Sequence, residues 1–160
     1  MVLSLLLGFH RPLERRLARV DLGAVGLDLH ARLKAPLLAE DLRCLGVDPG
    51  QVPDCGDLPA LSALPEALGC LYVLEGSTLG GQVLSRHVRE AMDIVPGRGG
   101  SFFASDGRDV GAMWRAFRAA LEAGCPGEAE MLRAGEVAVR TFASFNQWLA
   151  ASPALRSPSP

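Results

Sequence analysis

The sequence predicts an all-α, single-domain helical bundle. Three observations predict it. Apolar residues recur at helical spacing in five segments, and proline- and glycine-rich stretches separate those segments. β-branched residues are sparse, and no segment shows the strict alternation of a half-buried strand.

The first segment covers residues 2–20, where Leu13, Leu17 and Val20 continue an i, i+4, i+7 stripe. Pro12 is expected to kink or restart it, because proline removes a backbone donor and is best tolerated in a first turn. The second runs from Leu33 to Leu45 through Leu37, Leu38 and Leu42, and Gly46 is a natural stop. The stretch GVDPGQVPDCGDLP then reads as a loop. Pro65 opens the longest segment, about Glu66 to Met92, and IVPGRGG closes it as a second loop. Asp109 to Ala123 forms the fourth helix, with Met113, Trp114, Phe117 and Leu121 on one side. Glu128 to Ala150 forms the fifth, with Phe142, Phe145 and Leu149 at i, i+3, i+7. One domain therefore spans residues 1–151. The tail 152–160 is low in complexity and is expected to be disordered.

Composition narrows the function. At 160 residues, 49% of them hydrophobic, the chain can bury one core. A net charge of −2 gives no basic field for nucleic acid or anionic lipid. No apolar stretch is long enough to span a bilayer, and no export signal is visible. Cys44, Cys55, Cys70 and Cys125 form no C-x-x-C pair and none has zinc-ligand spacing with a histidine, so no metal site is expected. A reduced, cytoplasmic protein is the simplest reading. Lys34 is the only lysine, a skew of the kind that coding bias in a GC-rich bacterium produces.

The informative segment is LYVLEGSTLGGQVLSR, Leu71 to Arg86. Gly76, Gly80 and Gly81 sit inside an otherwise strong helix, and each interior glycine costs about 0.5–1 kcal/mol relative to alanine. At 100° per residue, Gly76 and Gly80 share one face with Gly81 beside them, leaving a patch free of side chains. Close helix–helix packing is one reading of that patch. The other is a surface where a flat ligand touches backbone. Glu75, Ser77 and Thr78 set polar groups beside it, and the paired glycines allow a bend.

LYVLEGSTLGGQVLSRHV resembles the distal helix of haem oxygenases, in the form found in the bacterial branch that supplies biliverdin to phytochromes. GFHRPLERRLA, LLAEDLRCLG, SFFASDG with MWRAF, and RTFASFNQWL extend the resemblance, in order, over nearly the whole chain. It implies haem as cofactor and substrate, O2 as co-substrate, and cleavage to biliverdin, CO and Fe²⁺. Gly76, Gly80 and Gly81 would form the distal wall. Ser77 would occupy the catalytic position where many members hold distal water with an aspartate; serine donates and accepts hydrogen bonds but carries no charge. Arg115 and Arg118, three apart on one helix, would hold the haem propionates. Electrons would come from a ferredoxin- or flavodoxin-type donor, and a bacteriophytochrome could receive the biliverdin.

The family's proximal histidine lies on a helix before the segment matching GFHRPLE, and this sequence begins at that segment. The apolar run Val2, Leu3, Leu5, Leu6, Leu7, Phe9 also begins without an N-cap. Both lead to the expectation of a missing N-terminal helix. Of the three histidines, His10 is expected to pack or cap, His30 to be exposed after a glycine-rich turn, and His87 to lie on the face of Gly76 and Gly80; none is expected to replace the ligand. Trp114, Phe117, Phe142, Phe145 and Trp148 are expected in the core. Three functions stand open: a biliverdin-forming haem oxygenase, a non-catalytic haem- or tetrapyrrole-binding member of the fold, and a helical interaction module docking a partner through Val2–Phe9.

Overall fold

The computed structural model describes the backbone of residues 2–92, 99–103 and 109–152, and side-chain surroundings for these except 79–92. Five helices form: α1 (Val2–Leu17), α2 (Ala35–Cys44), α3 (Leu64–Met92), α4 (Val110–Gly124) and α5 (Glu128–Ala151). Among the described residues there is no strand. The IVPGRGG loop, apart from its final two glycines, and the tail from 153 lie outside the described residues.

α1 does not break at Pro12. Proline at 12 leaves the carbonyl of Gly8 without its helical donor. The N–H of Cys55, from the loop before α3, donates to that carbonyl instead at 2.8 Å. The loop can come so close because Gly8 has no side chain: a Cβ there would collide with the carbonyl oxygen of Pro53. The proline defect is thus filled by a neighbouring segment, and the helix runs on.

The other boundaries follow local chemistry. Gly46 takes φ +77°, the left-handed conformation that ends α2. At the start of α3, Glu66 accepts from the N–H groups of Ser62 and Ala63 and from the Ser62 hydroxyl, which holds its carboxyl below the usual carboxylate range. Asp109 caps α4 by accepting from the N–H of Ala112 at 2.9 Å.

α3 is the central element, with α5 and α4 both packed on it, while α2 packs on α1. The main core joins Phe9, Leu13 and Leu17 of α1 to Leu68, Leu71 and Leu74 of α3, Phe117 of α4 and Ala134 of α5. A smaller core joins Leu3 and Leu7 to Leu38 and Leu42 of α2 and to Val52. This corrects the expectation of a docking stripe at the start of the chain. Leu3, Leu7 and Phe9 are buried inside the domain, and of that run only Val2 is largely exposed.

Phe142 is a second correction: it is 57% exposed rather than in the core. The inner face of α5 carries Ala134, Thr141 and Ser144 instead. Small residues are required there because α5 lies against Gly69 of α3, where a Cβ would collide with the Ala134 carbonyl oxygen. Phe145 and Trp148 do pack against the core, half-buried. Gly69→Ala should therefore destabilise the domain by about 1–3 kcal/mol through overpacking, despite alanine's better helix propensity. Urea unfolding of the variant against the parent chain measures this.

Candidate functional site

Gly76 stands partly exposed on α3, and a Cβ built on it would meet nothing within 4 Å. The contrast with Gly69, two turns earlier on the same helix face, is direct: Gly69 is filled by the backbone of α5, and Gly76 is open. Close helix packing therefore explains the first glycine and not the second. Gly80 and Gly81 continue the same helix. Their surroundings, and those of His87, lie outside the described residues.

Ser77 is exposed beside Gly76, and its hydroxyl donates to the Leu74 carbonyl at 2.8 Å. Thr78 donates to the same carbonyl at 3.0 Å. With its proton committed to the helix, the Ser77 oxygen offers lone pairs outward and acts as an acceptor. One turn before Gly76, the exposed ring of Tyr72 stacks at 5.7 Å from Trp114 and 6.4 Å from Phe117 of α4. Sequence reasoning placed Trp114 in the core and passed over Tyr72, although Tyr72 precedes Gly76 by one helical repeat. Arg115 and Arg118 are both exposed on α4, about 60° apart by helical phase, so α4 can present two guanidinium groups together. No contact among the described residues joins either of them to the glycine face.

A group of buried charges includes Glu75, the residue before Gly76. Arg32 Nη1 stands 2.9 Å from Glu75 Oε1, both side chains more than nine-tenths buried. Arg32 also donates to the Met113 carbonyl of α4 at 3.3 Å, so one guanidinium bridges α3 and α4. Glu14 of α1 accepts from the N–H groups of Lys34 and Ala35 at 2.7 and 3.0 Å. Lys34 itself is buried, and so is His10, whose Nδ1 lies 3.6 Å from Glu14 Oε1 and whose ring meets Phe102 edge-on. Asp41 of α2 accepts from the N–H groups of Ser101 and Phe102, fastening residues 99–103 to α2. His30, by contrast, is exposed, as expected.

No group of three or more metal-ligating side chains assembles among the described residues. All four cysteines are free thiols. Burial pushes the Cys70 thiol up to about 12 and raises Cys55 and Cys125 as well, whereas Cys44 is exposed. No helix among the described residues is long and apolar enough to cross a membrane.

The described residues form an all-helical domain whose central helix carries an unfilled glycine at position 76. Comparison with known proteins gives the family. The sequence profile described as "Heme oxygenase" matches residues 2–151. A protein named "Heme oxygenase" from Xanthomonas campestris pv. campestris (strain 8004) is 35% identical over 147 residues, 92% of this chain and 83% of the relative. The chain belongs to the haem oxygenase family. No solved structure matches it.

Two outcomes test this description. Arg32→Met should cost about 3–5 kcal/mol in unfolding free energy, because it strands the buried Glu75 carboxylate, and adding Glu75→Leu should recover much of it. At pH 8 Cys44 should react quickly with a disulfide reagent, with Cys70 inert until the chain unfolds, since a thiol raised to about 12 stays protonated there. Absorbance counting of released thiolate distinguishes one fast group from several.

Proposed function

We propose that the open face of α3 at Gly76, Gly80 and Gly81 binds haem, and that the chain acts on haem as a biliverdin-forming haem oxygenase or as part of one. The observation that carries the reading is the contrast at α3: a glycine packed by α5 at position 69 and an unfilled one at 76. A porphyrin is flat and broad, and a backbone wall without side chains is what its face can approach. Haem, when bound, supplies the iron chemistry that activates O2 and is itself consumed.

The roles left to this chain's own residues are then binding, orientation and hydrogen bonding. Gly76 leaves space at the ring face, and Gly80 and Gly81 bring no side chain to the same helix. Ser77, as an acceptor with no charge, orders solvent there but holds no proton of its own to give. Tyr72 and Trp114 border the face with aromatic surface. Arg115 and Arg118 are the candidate partners of the two propionates, reached from α4. Buried His10 and exposed His30 are assigned no iron ligation in this reading. The uncharged Ser77 favours a second reading: a member of the family that holds haem or another tetrapyrrole without turning it over. If turnover occurs, a ferredoxin- or flavodoxin-type donor supplies the electrons, the products are biliverdin, CO and ferrous iron, and a bacteriophytochrome is a fitting recipient in the cytoplasm.

Titration of the chain with haemin, followed in the Soret region, tests the reading. Gly76→Leu places a side chain in open space, so the circular dichroism spectrum should be unchanged while haem affinity falls at least about tenfold, or about 1.4 kcal/mol. Unchanged affinity would remove haem from this face. Turnover with a reduced ferredoxin, read as a biliverdin band, separates the two readings.

A further inference from the structure

The buried charges enclose a cavity that no step of the proposed chemistry uses. It measures about 10 Å³ and is lined by His10, Glu14, Arg32, Lys34, Glu75 and Thr78, with leucines completing its wall. That volume is near the ~10–15 Å³ that one water requires. Its polarity decides whether it is filled, because cavities lined by apolar groups stay dry whereas those with two to four polar partners hold water.

Two polar atoms on its wall lack a hydrogen bond. His10 is only 4% exposed, yet its Nδ1 has no hydrogen-bond partner, and Glu14 at 3.6 Å is too distant to be one. Arg32 Nη1 is held to Glu75 as an ion pair rather than an aligned hydrogen bond, so it too retains unused donor capacity. A buried polar atom without a partner costs about as much as a lost hydrogen bond. An unpartnered His10 nitrogen on the same small cavity as a guanidinium N–H not aligned with Glu75 is better explained by a molecule between them.

We propose that this cavity is a binding site for one fixed water molecule, held by His10 Nδ1 and Arg32 Nη1, with the Glu14 and Glu75 carboxylates as acceptors. Arg32 donates, the carboxylates accept, and the imidazole nitrogen does either according to its tautomer. The water joins α1, the Arg32 segment and α3 at the residue immediately before Gly76. His10 is thereby a positioning residue: it sets the helix that carries the open face from behind, without touching a ligand on that face. The site requires no haem, so its test stands apart from the haem reading.

The experiment uses the isotopically labelled 160-residue chain without ligand. Water-to-protein NOE spectra should show a slowly exchanging water beside the His10 ring and the Thr78 methyl group. His10→Phe, close in shape but without the nitrogen, should abolish the cross-peak to the Thr78 methyl group and lower Tm by about 3–8 °C. His10→Gln, which keeps a polar end, should retain that Thr78 cross-peak. Absence of the water signal in the unaltered chain overturns the proposal even if His10→Phe loses stability. A His10→Phe chain as stable as its parent, or more so, overturns it equally, since a dry cavity would gain from losing an unpartnered nitrogen.

Discussion

The N–H groups of Lys34 and Ala35 at the start of α2 have no acceptor within their own helix, and Lys34 offers no capping side chain. Glu14 of α1 supplies the missing acceptor, with its negative charge at the positive end of the α2 dipole. Much else depends on that contact. It sets where α2 leaves α1, and hence where Leu38 and Leu42 meet Leu3 and Leu7. It holds the polypeptide around Arg32 close enough to α3 for the Glu75 ion pair. It also places a second carboxylate beside His10. Charge that would be costly in a dry core is tolerated because Glu14 meets backbone donors and Arg32 meets Glu75.

α3 consequently has two unlike stretches. In the first it is fastened by leucines, by Glu75 and by the close contact of Gly69 with α5. Two turns on from Gly69, along the same face, Gly76 is met by nothing within 4 Å. A helix weakened by interior glycines needs support elsewhere, and the buried ion pair one residue before the first open glycine supplies it.

The helices were legible because their apolar residues keep helical phase and their ends carry plain signals: Pro65, Asp109 and Gly46. Of the three interior glycines that demand a reason, Gly76 is unfilled, and the surroundings of Gly80 and Gly81 lie outside the described residues. The buried charges were not seen, because charged residues are by default read as solvent-facing. Yet the signal was present: His10 and Glu14 fall in phase with Leu3, Leu7 and Leu17, so any helix burying those leucines had to bury a histidine and a glutamate with them. Phe142 misled for the opposite reason. Helical spacing identifies a stripe, but when two helices meet through glycine and alanine, the inward face is the one with the smallest side chains.

The loop between α2 and α3 is fastened to α1 chiefly by arginine. Arg11 donates to the Pro49 carbonyl at 2.8 Å, to the Val52 carbonyl at 2.5 Å and to Asp54 at 2.7 Å. Five residues on, Arg16 donates to the carbonyls of Leu58 and Pro59 at 2.8 and 2.6 Å. A planar guanidinium can serve several fixed acceptors at once, whereas an ammonium on a flexible stem cannot match that fork. The near-absence of lysine, which composition alone ascribes to coding bias, thus has a structural counterpart at these sites. Sequence drift here is a one-way street: a lineage whose codon usage swung toward lysine could change Arg43 or Arg133 on the surface freely, but would have to leave Arg11 and Arg16 as they are or rebuild the loop they bind.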